Sequence, residues 1–201
     1  MAVMYVAFLT KEQQESKECC AAKEQELKKM QNFKIYDMYH EEVPYCGQSC
    51  ISTRRVLTLK NGKPRARLVT RGFEEKENIQ FDSPTVGKSA MHLFLTIAAS
   101  RQWKIKTTDM KSAFLQGDEM ERDVYIKPPK EACEKDGYVW KLKRCLHGLS
   151  DASRQFYMSV SAQMKQLGCQ QCSVEPTLFY RRDENGQLIG IFVSHIKNPL
   201  H

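Results

Sequence analysis

Apolar and polar positions alternate most clearly over 54–60 (RRVLTLK), and Asn61-Gly62 follows at once. A two-residue type I′ turn needs positive φ at both centres, which Asn-Gly supplies, so 65–71 (RARLVTR) is predicted to return as the second strand of a hairpin. Alternation puts Ala66, Leu68 and Thr70 on one face of that strand and Arg65, Arg67, Val69 and Arg71 on the other. A face with three arginines is predicted to look away from a core. Over 88–102, Met91, Phe94, Leu95 and Ala98 recur at helical spacing, which predicts an amphipathic helix with a core-facing stripe. A second helix is predicted over 152–167, with Phe156, Val160, Met164 and Leu167 on one face. Short strands are predicted at 104–109, 123–127 and 138–142, and a second hairpin (177–182 with 187–195) flanks Asn185-Gly186. Residues 11–31 are rich in Glu, Lys, Gln and Ala without Gly or Pro, and read as a solvated helix. Residues 32–52, with Pro44 and Gly47, read as irregular. Mixed strands and helices joined by local hairpins, with no internal repeat, define an α+β pattern.

Composition adds boundaries. A chain of 201 residues, 41% hydrophobic and 27% charged, with 7 Pro and 10 Gly, can bury a core and is not low-complexity. The net charge of +7 suits a polyanionic partner, because Lys and Arg that neutralise phosphates release condensed counterions. Cys169-x-x-Cys172 and Cys46-x-x-x-Cys50 have the look of zinc knuckles, but no nearby Cys or His pair completes four tetrahedral ligands at standard spacing. The plainer reading of the eight cysteines is free thiols in a reducing compartment. The apolar start (MAVMYVAFLT) lacks a cationic lead and a cleavage site, and the longest apolar run, near 90–99, is far too short for a membrane span. An intracellular protein without signal peptide or transmembrane segment is expected.

Asp109 carries the sharpest chemical signal. It is predicted to end a strand, and Met110-Lys111-Ser112-Ala113-Phe114-Leu115-Gln116-Gly117 follows. A carboxylate on a rigid support beside a basic groove is what metal-assisted phosphoryl chemistry needs, since Mg²⁺ takes hard oxygen ligands. The plainer reading is a cap or turn residue.

Five ordered blocks turn this into a resemblance. Lys63 to Phe73 (KPRARLVTRGF) is similar to a K-x-R-x-V-x-R-G-F segment, and Trp103 to Gly117 is similar to a W-x(5)-D-x-K-x-A-F-L-x-G block. Val124 to Pro129 (VYIKPP) matches the strand that follows. Val139 to Tyr157 is similar to V-x-K-L-x-x-x-L-Y-G-L…R-x-W-Y, and Glu175 to Tyr180 to D-P-x-L-Y. Together they resemble the reverse transcriptase of Ty1/copia-type retrotransposon Pol polyproteins, over about 26–194. The S-D-A-S-R run at 150–154 and Ser83 to Lys88 resemble a subgroup known from animals.

The resemblance implies an α+β fold of fingers and partial palm over 32–196, preceded by a helical lead-in at 1–31 and followed by an aberrant tail at 197–201. It implies an RNA-directed DNA polymerase, a nucleotidyltransferase acting on an RNA or DNA primer–template and deoxynucleoside triphosphates, with Mg²⁺ as cofactor. Asp109 would be the catalytic, metal-binding residue. Phe114 would stand at the family's aromatic gate against the ribose 2′-hydroxyl, or be a core residue. One or more of Lys63, Arg65, Arg67 and Arg71 would touch the incoming triphosphate or the template backbone. The Gly148 segment would line the nucleotide site, with His147 in place of the usual Tyr. The family continues from a hydrophobic strand, here 189–196, into two aspartates; this chain has Lys197 and Asn198. Two-metal chemistry needs carboxylates that clamp both ions, so the chain is expected to be truncated before its second aspartate motif and inactive alone. A nucleic-acid-binding remnant and a pseudogene product without function are the alternatives.

Overall fold

The computed structural model describes residues 10–40, 50–76, 79–80, 82–110, 112–132 and 137–196. The chain forms two compact units, each assembled from two stretches of sequence: Met1–Ile79 with Phe114–Ala152, and Gln80–Ala113 with Ser153–His201.

In the first unit a short helix α1 (Lys11–Gln14) leads to α2 (Lys17–Asn32). The break falls at Ser16, whose side chain caps α2 by accepting from Cys19 N at 3.3 Å. This segment is not fully solvated as predicted: α2 buries Cys19, Glu26 and Met30. Cys19 packs with Leu57 and Ala66 of the hairpin β2 (Thr53–Lys60) and β3 (Lys63–Thr70). The hairpin register pairs Thr53 with Thr70 and Lys60 with Lys63. Asn61 and Gly62 take φ of 53° and 73°, the geometry their sequence predicts.

A second sheet has the order β1-β5-β4, from Tyr36–His40, Tyr138–Arg144 and Glu119–Ile126. The first of these strands lies in the stretch read as irregular. Its sequence, YDMYH, shows no clean alternation, and it is held by β5: Tyr36 stacks on Trp140 with ring centroids 3.8 Å apart, and Lys143 Nζ reaches Asp37 at 2.8 Å. Ile51 ties the hairpin base to this sheet, donating to Tyr125 O and accepting from Lys127 N, both at 2.9 Å. Trp140, Ile126, Leu142, Ile35 and Leu146 form the buried centre.

The second unit holds α3 (Lys88–Ser100), most of α4 (Ala152–Gln166) and a sheet of order β6-β7-β8, from Gln170–Gln171, Leu178–Arg182 and Leu188–Val193. Tyr157 of α4 donates to Pro176 O at 3.0 Å. The predicted stripe of α3 is shallower than expected: only Ala98 is fully buried, and Leu95 is 43% exposed. This helix is fixed by its ends, through Gly87 N donating to Glu175 at 3.2 Å and Arg101 donating to Leu188 O at 2.9 Å. On α4, Val160 is buried but Leu167 is exposed and past the helix end. The second hairpin differs from the first. Gly186 has positive φ, whereas Asn185 does not, and Asp183 organises the turn by accepting from Asn185 N and Gln187 N.

One ion cluster joins three distant stretches of the first unit. Arg122 on β4 donates to both oxygens of Asp151, at 3.0 and 2.8 Å, and to Glu75 at 2.7 Å. Both carboxylates are nearly buried, with 3% and 4% of the side chain exposed. Burial alone would lower the Arg122 pKa, but its hydrogen bonds to Asp151 and Glu75 outweigh it and raise it. Ser150 N–H meets the remaining charge by donating to Glu75 at 2.9 Å. Removing the guanidinium strands two buried carboxylates. Arg122→Ala should therefore lose about 3–5 kcal/mol of stability, read from urea unfolding midpoints. A loss below about 1 kcal/mol, the scale of an exposed pair, would refute the cluster's structural role.

Candidate functional site

The end of β3 meets the loop 145–150 main chain to main chain. Thr70 N donates to His147 O at 2.8 Å, and Gly72 N donates to Gly148 O at 3.0 Å. Gly148 has φ of 94°, and a Cβ there would collide with Thr70 O and with Val69 Cγ1. A Cβ at Gly72 would collide with Gly148 O. Both glycines are therefore required by close approach as well as, at Gly148, by backbone conformation.

This junction covers part of the arginine face of β3. Val69 is only 3% exposed, and Arg65 and Arg67 are half-buried, so that face is less open than its charge predicts. His147 lies beside both arginines. Burial first, then the charges of Arg67 and Arg65, depress its pKa from 6.5 to about 4. Its Nδ1 is buried without a hydrogen-bond partner. The ring meets Phe114 edge to face, 4.9 Å between centroids at 87°. Arg67 is itself lowered by burial and by Arg65, with Glu26 offsetting part of that.

Of the residues singled out from sequence, Arg65, Arg67, Phe114 and Gly148 thus gather around His147. In the sequence His147 stands out only as a departure from a motif; its mixture of burial and neighbouring cations has no signature in a single sequence. Phe114 is 6% exposed, in the 3₁₀ turn Ala113–Gln116. Lys63 is exposed beside the hairpin turn. Arg71 turns to Glu74 instead, at 3.8 Å.

Asp109 belongs to the second unit. The strand predicted at 104–109 does not form; residues 104–110 are irregular and exposed. A strand exists only with a ladder partner, and β6-β7-β8 does not include this stretch. Among the described residues no three His, Cys, Asp or Glu side chains are placed to hold a metal ion together. Asp123 is paired with Lys141 at 2.8 Å. The described residues do not fit a pair of catalytic Mg²⁺ ions, and Lys197 and Asn198 lie outside them. Cys145, buried behind the junction, has its thiol pushed up to about 12 by burial and then Asp151, so it is not a thiolate nucleophile at neutral pH. No helix among the described residues is long and apolar enough to cross a membrane.

A half-buried arginine strand docked on a glycine loop beside a buried aromatic can offer guanidinium groups to phosphate. The sequence model of the family described as reverse transcriptase (RNA-dependent DNA polymerase) matches residues 33–197. The chain is 37% identical over 131 residues to the Retrovirus-related Pol polyprotein from transposon TNT 1-94 of Nicotiana tabacum, which covers 62% of this chain and 10% of that protein. It is 31% identical over 120 residues to the corresponding polyprotein from transposon RE1 of Arabidopsis thaliana, covering 57% and 8%. The Transposon Ty1-DR4 Gag-Pol polyprotein of Saccharomyces cerevisiae is 26% identical over 164 residues, covering 71% and 10%. No solved structure matches the chain. The chain belongs to the reverse transcriptase family, in the form carried by copia-type retrotransposon Pol polyproteins, and spans about a tenth of the length of these relatives.

The depressed His147 titration makes stability pH-dependent. The unfolded imidazole takes up a proton near 6.5, the folded one only near 4. Stability is whole above 6.5, falls as pH drops through that window, and has lost at most about 3 kcal/mol by pH 4. Urea midpoints of His147→Gln should decline less than the parent's between those pH values. Parallel profiles would show that His147 titrates normally in the folded chain.

Proposed function

We propose that this chain forms the fingers and part of the palm of an RNA-directed DNA polymerase, and that it binds primer–template without extending it. The carrying observation is the convergence of Arg65, Arg67 and Phe114 on His147 and the Gly148 loop. Half-buried guanidinium groups on a strand whose end is docked through Gly72 and Gly148 are suited to charge-assisted contacts with phosphate. Phe114, buried against His147, stands on this reading at the family's gate against the ribose 2′-hydroxyl, with a core role as the alternative. On this reading 1–31 is the lead-in, 32–196 the fingers and partial palm, and the site of action is intracellular.

Extension fails for a chemical reason. Asp109 supplies one carboxylate, and the positions where the family carries its aspartate pair hold Lys197 and Asn198. A cation and a neutral amide there cannot complete a two-metal clamp. Binding survives this loss, because it depends on the arginine strand.

Two measurements separate the halves of the reading. Primer extension with Mg²⁺ or Mn²⁺ should give no template-dependent incorporation; incorporation abolished by Asp109→Ala would overturn the inactive assignment. Binding to a primer–template should weaken with salt, and the joint change Arg65→Ala with Arg67→Ala should reduce the slope by about 2. An unchanged slope would remove these arginines from the interface.

A further inference from the structure

The 3₁₀ turn Gly72–Glu74 is fixed on nearly every side. Gly72 N donates to Gly148 O at 3.0 Å. Glu74 accepts from Ser52 N at 2.7 Å and from Ser52 Oγ at 2.6 Å, while Ser52 O accepts from Arg71 N at 3.0 Å. Glu75, next along the chain, holds Ser150 N and Arg122. Between these anchors Phe73 stands 83% exposed. On a mobile loop an exposed phenylalanine means little. Here the backbone on both sides of it is tied down, so the ring is presented to water from a fixed point on the surface.

The surroundings of the ring are cationic. Hydrogen bonds from Ser52 hold the Glu74 carboxyl below its ordinary range, and the charges of Arg71 and Lys127 draw it down further. Glu74 therefore sits near two cations, the Glu75 charge is taken up by Arg122, and Lys76 is exposed just beyond. The ring is solitary within its turn, so it does not form the broad apolar patch that a protein partner uses. A flat apolar plate beside spaced cations matches a ligand that alternates planar faces with negative charges. Duplexes hide the faces of their bases; single strands expose them.

We propose that Phe73 is a stacking platform for an unpaired base of single-stranded nucleic acid, with Arg71 and Lys127 taking the adjoining phosphates. This rests on the reading of the chain as a nucleic-acid binder, and assigns a contact that the reading does not use. Stacking on one aromatic is worth about 1–3 kcal/mol per base, which is about fivefold to 150-fold in affinity.

The test is fluorescence anisotropy of the full chain with a short single-stranded oligonucleotide and with the same backbone made abasic. Phe73→Ala should weaken binding of the normal strand about tenfold, leave the abasic strand unaffected, and keep the salt slope. Arg71→Ala should lower the slope instead. Phe73→Trp should keep the affinity, and its emission should be quenched by the normal strand alone. Equal binding by Phe73→Ala and the parent, or equal loss on the abasic strand, would overturn the platform while leaving the wider reading intact. A parent chain that binds neither strand would overturn both.

Discussion

The first unit depends on two backbones touching. Gly72 and Gly148 lack side chains where Cβ atoms would strike a carbonyl, and this lets the end of β3 exchange main-chain hydrogen bonds with the loop 145–150. Everything chemically interesting in that unit is arranged by this approach. It brings His147 to the arginines, buries Val69, and fixes the turn that carries Phe73. The Arg122 cluster acts as its clamp: Glu75 follows the turn and Asp151 follows the loop, so one guanidinium holds both sides of the junction. A buried cluster of this kind need not raise net stability over an apolar equivalent, but it specifies which two segments meet.

The clamp also gives a physical account of part of the motif around 150–154. Asp151 lies within the S-D-A-S-R run, and its partner Arg122 lies 29 positions earlier. Both members are visible in the sequence, yet nothing in the spacing announces the pair. Residues on a strand and in a loop become neighbours only after the sheet has formed.

The same distinction separates what could be read along the chain from what could not. The β2–β3 hairpin was legible because its causes are local: alternation on both sides of Asn61-Gly62. The α+β character, α3, α4 and most strand positions followed from patterning along the chain, and α2 from its composition. β1 was not legible, because a mixed pentapeptide becomes a strand only by stacking Tyr36 on Trp140 of a distant strand. The failure at 104–109 is the reverse case: a suitable pattern without a ladder to join. For the site, sequence supplied Arg65, Arg67, Phe114 and Gly148 through ordered motifs, but it could not assign Arg71 to Glu74 or reveal the ring of Phe73 as the exposed member of a rigid turn. Asp109 was recognisable only from its neighbours in sequence, and family membership rests on those same blocks.

The division into units has a consequence for how the polypeptide acquires its shape during synthesis. Neither unit is a continuous segment; residues 80–113 interrupt one, and 114–152 interrupt the other. The hairpin leaves the ribosome before the loop that docks it and Asp151 that clamps it, which come some eighty positions later. The stretch from Ser83 to Arg101 waits longer still, since its partners include Ser153, Glu175 and Leu188. The long-range packing of each unit can therefore be completed only after its later stretch has been made, while a local hairpin such as β2–β3 need not wait.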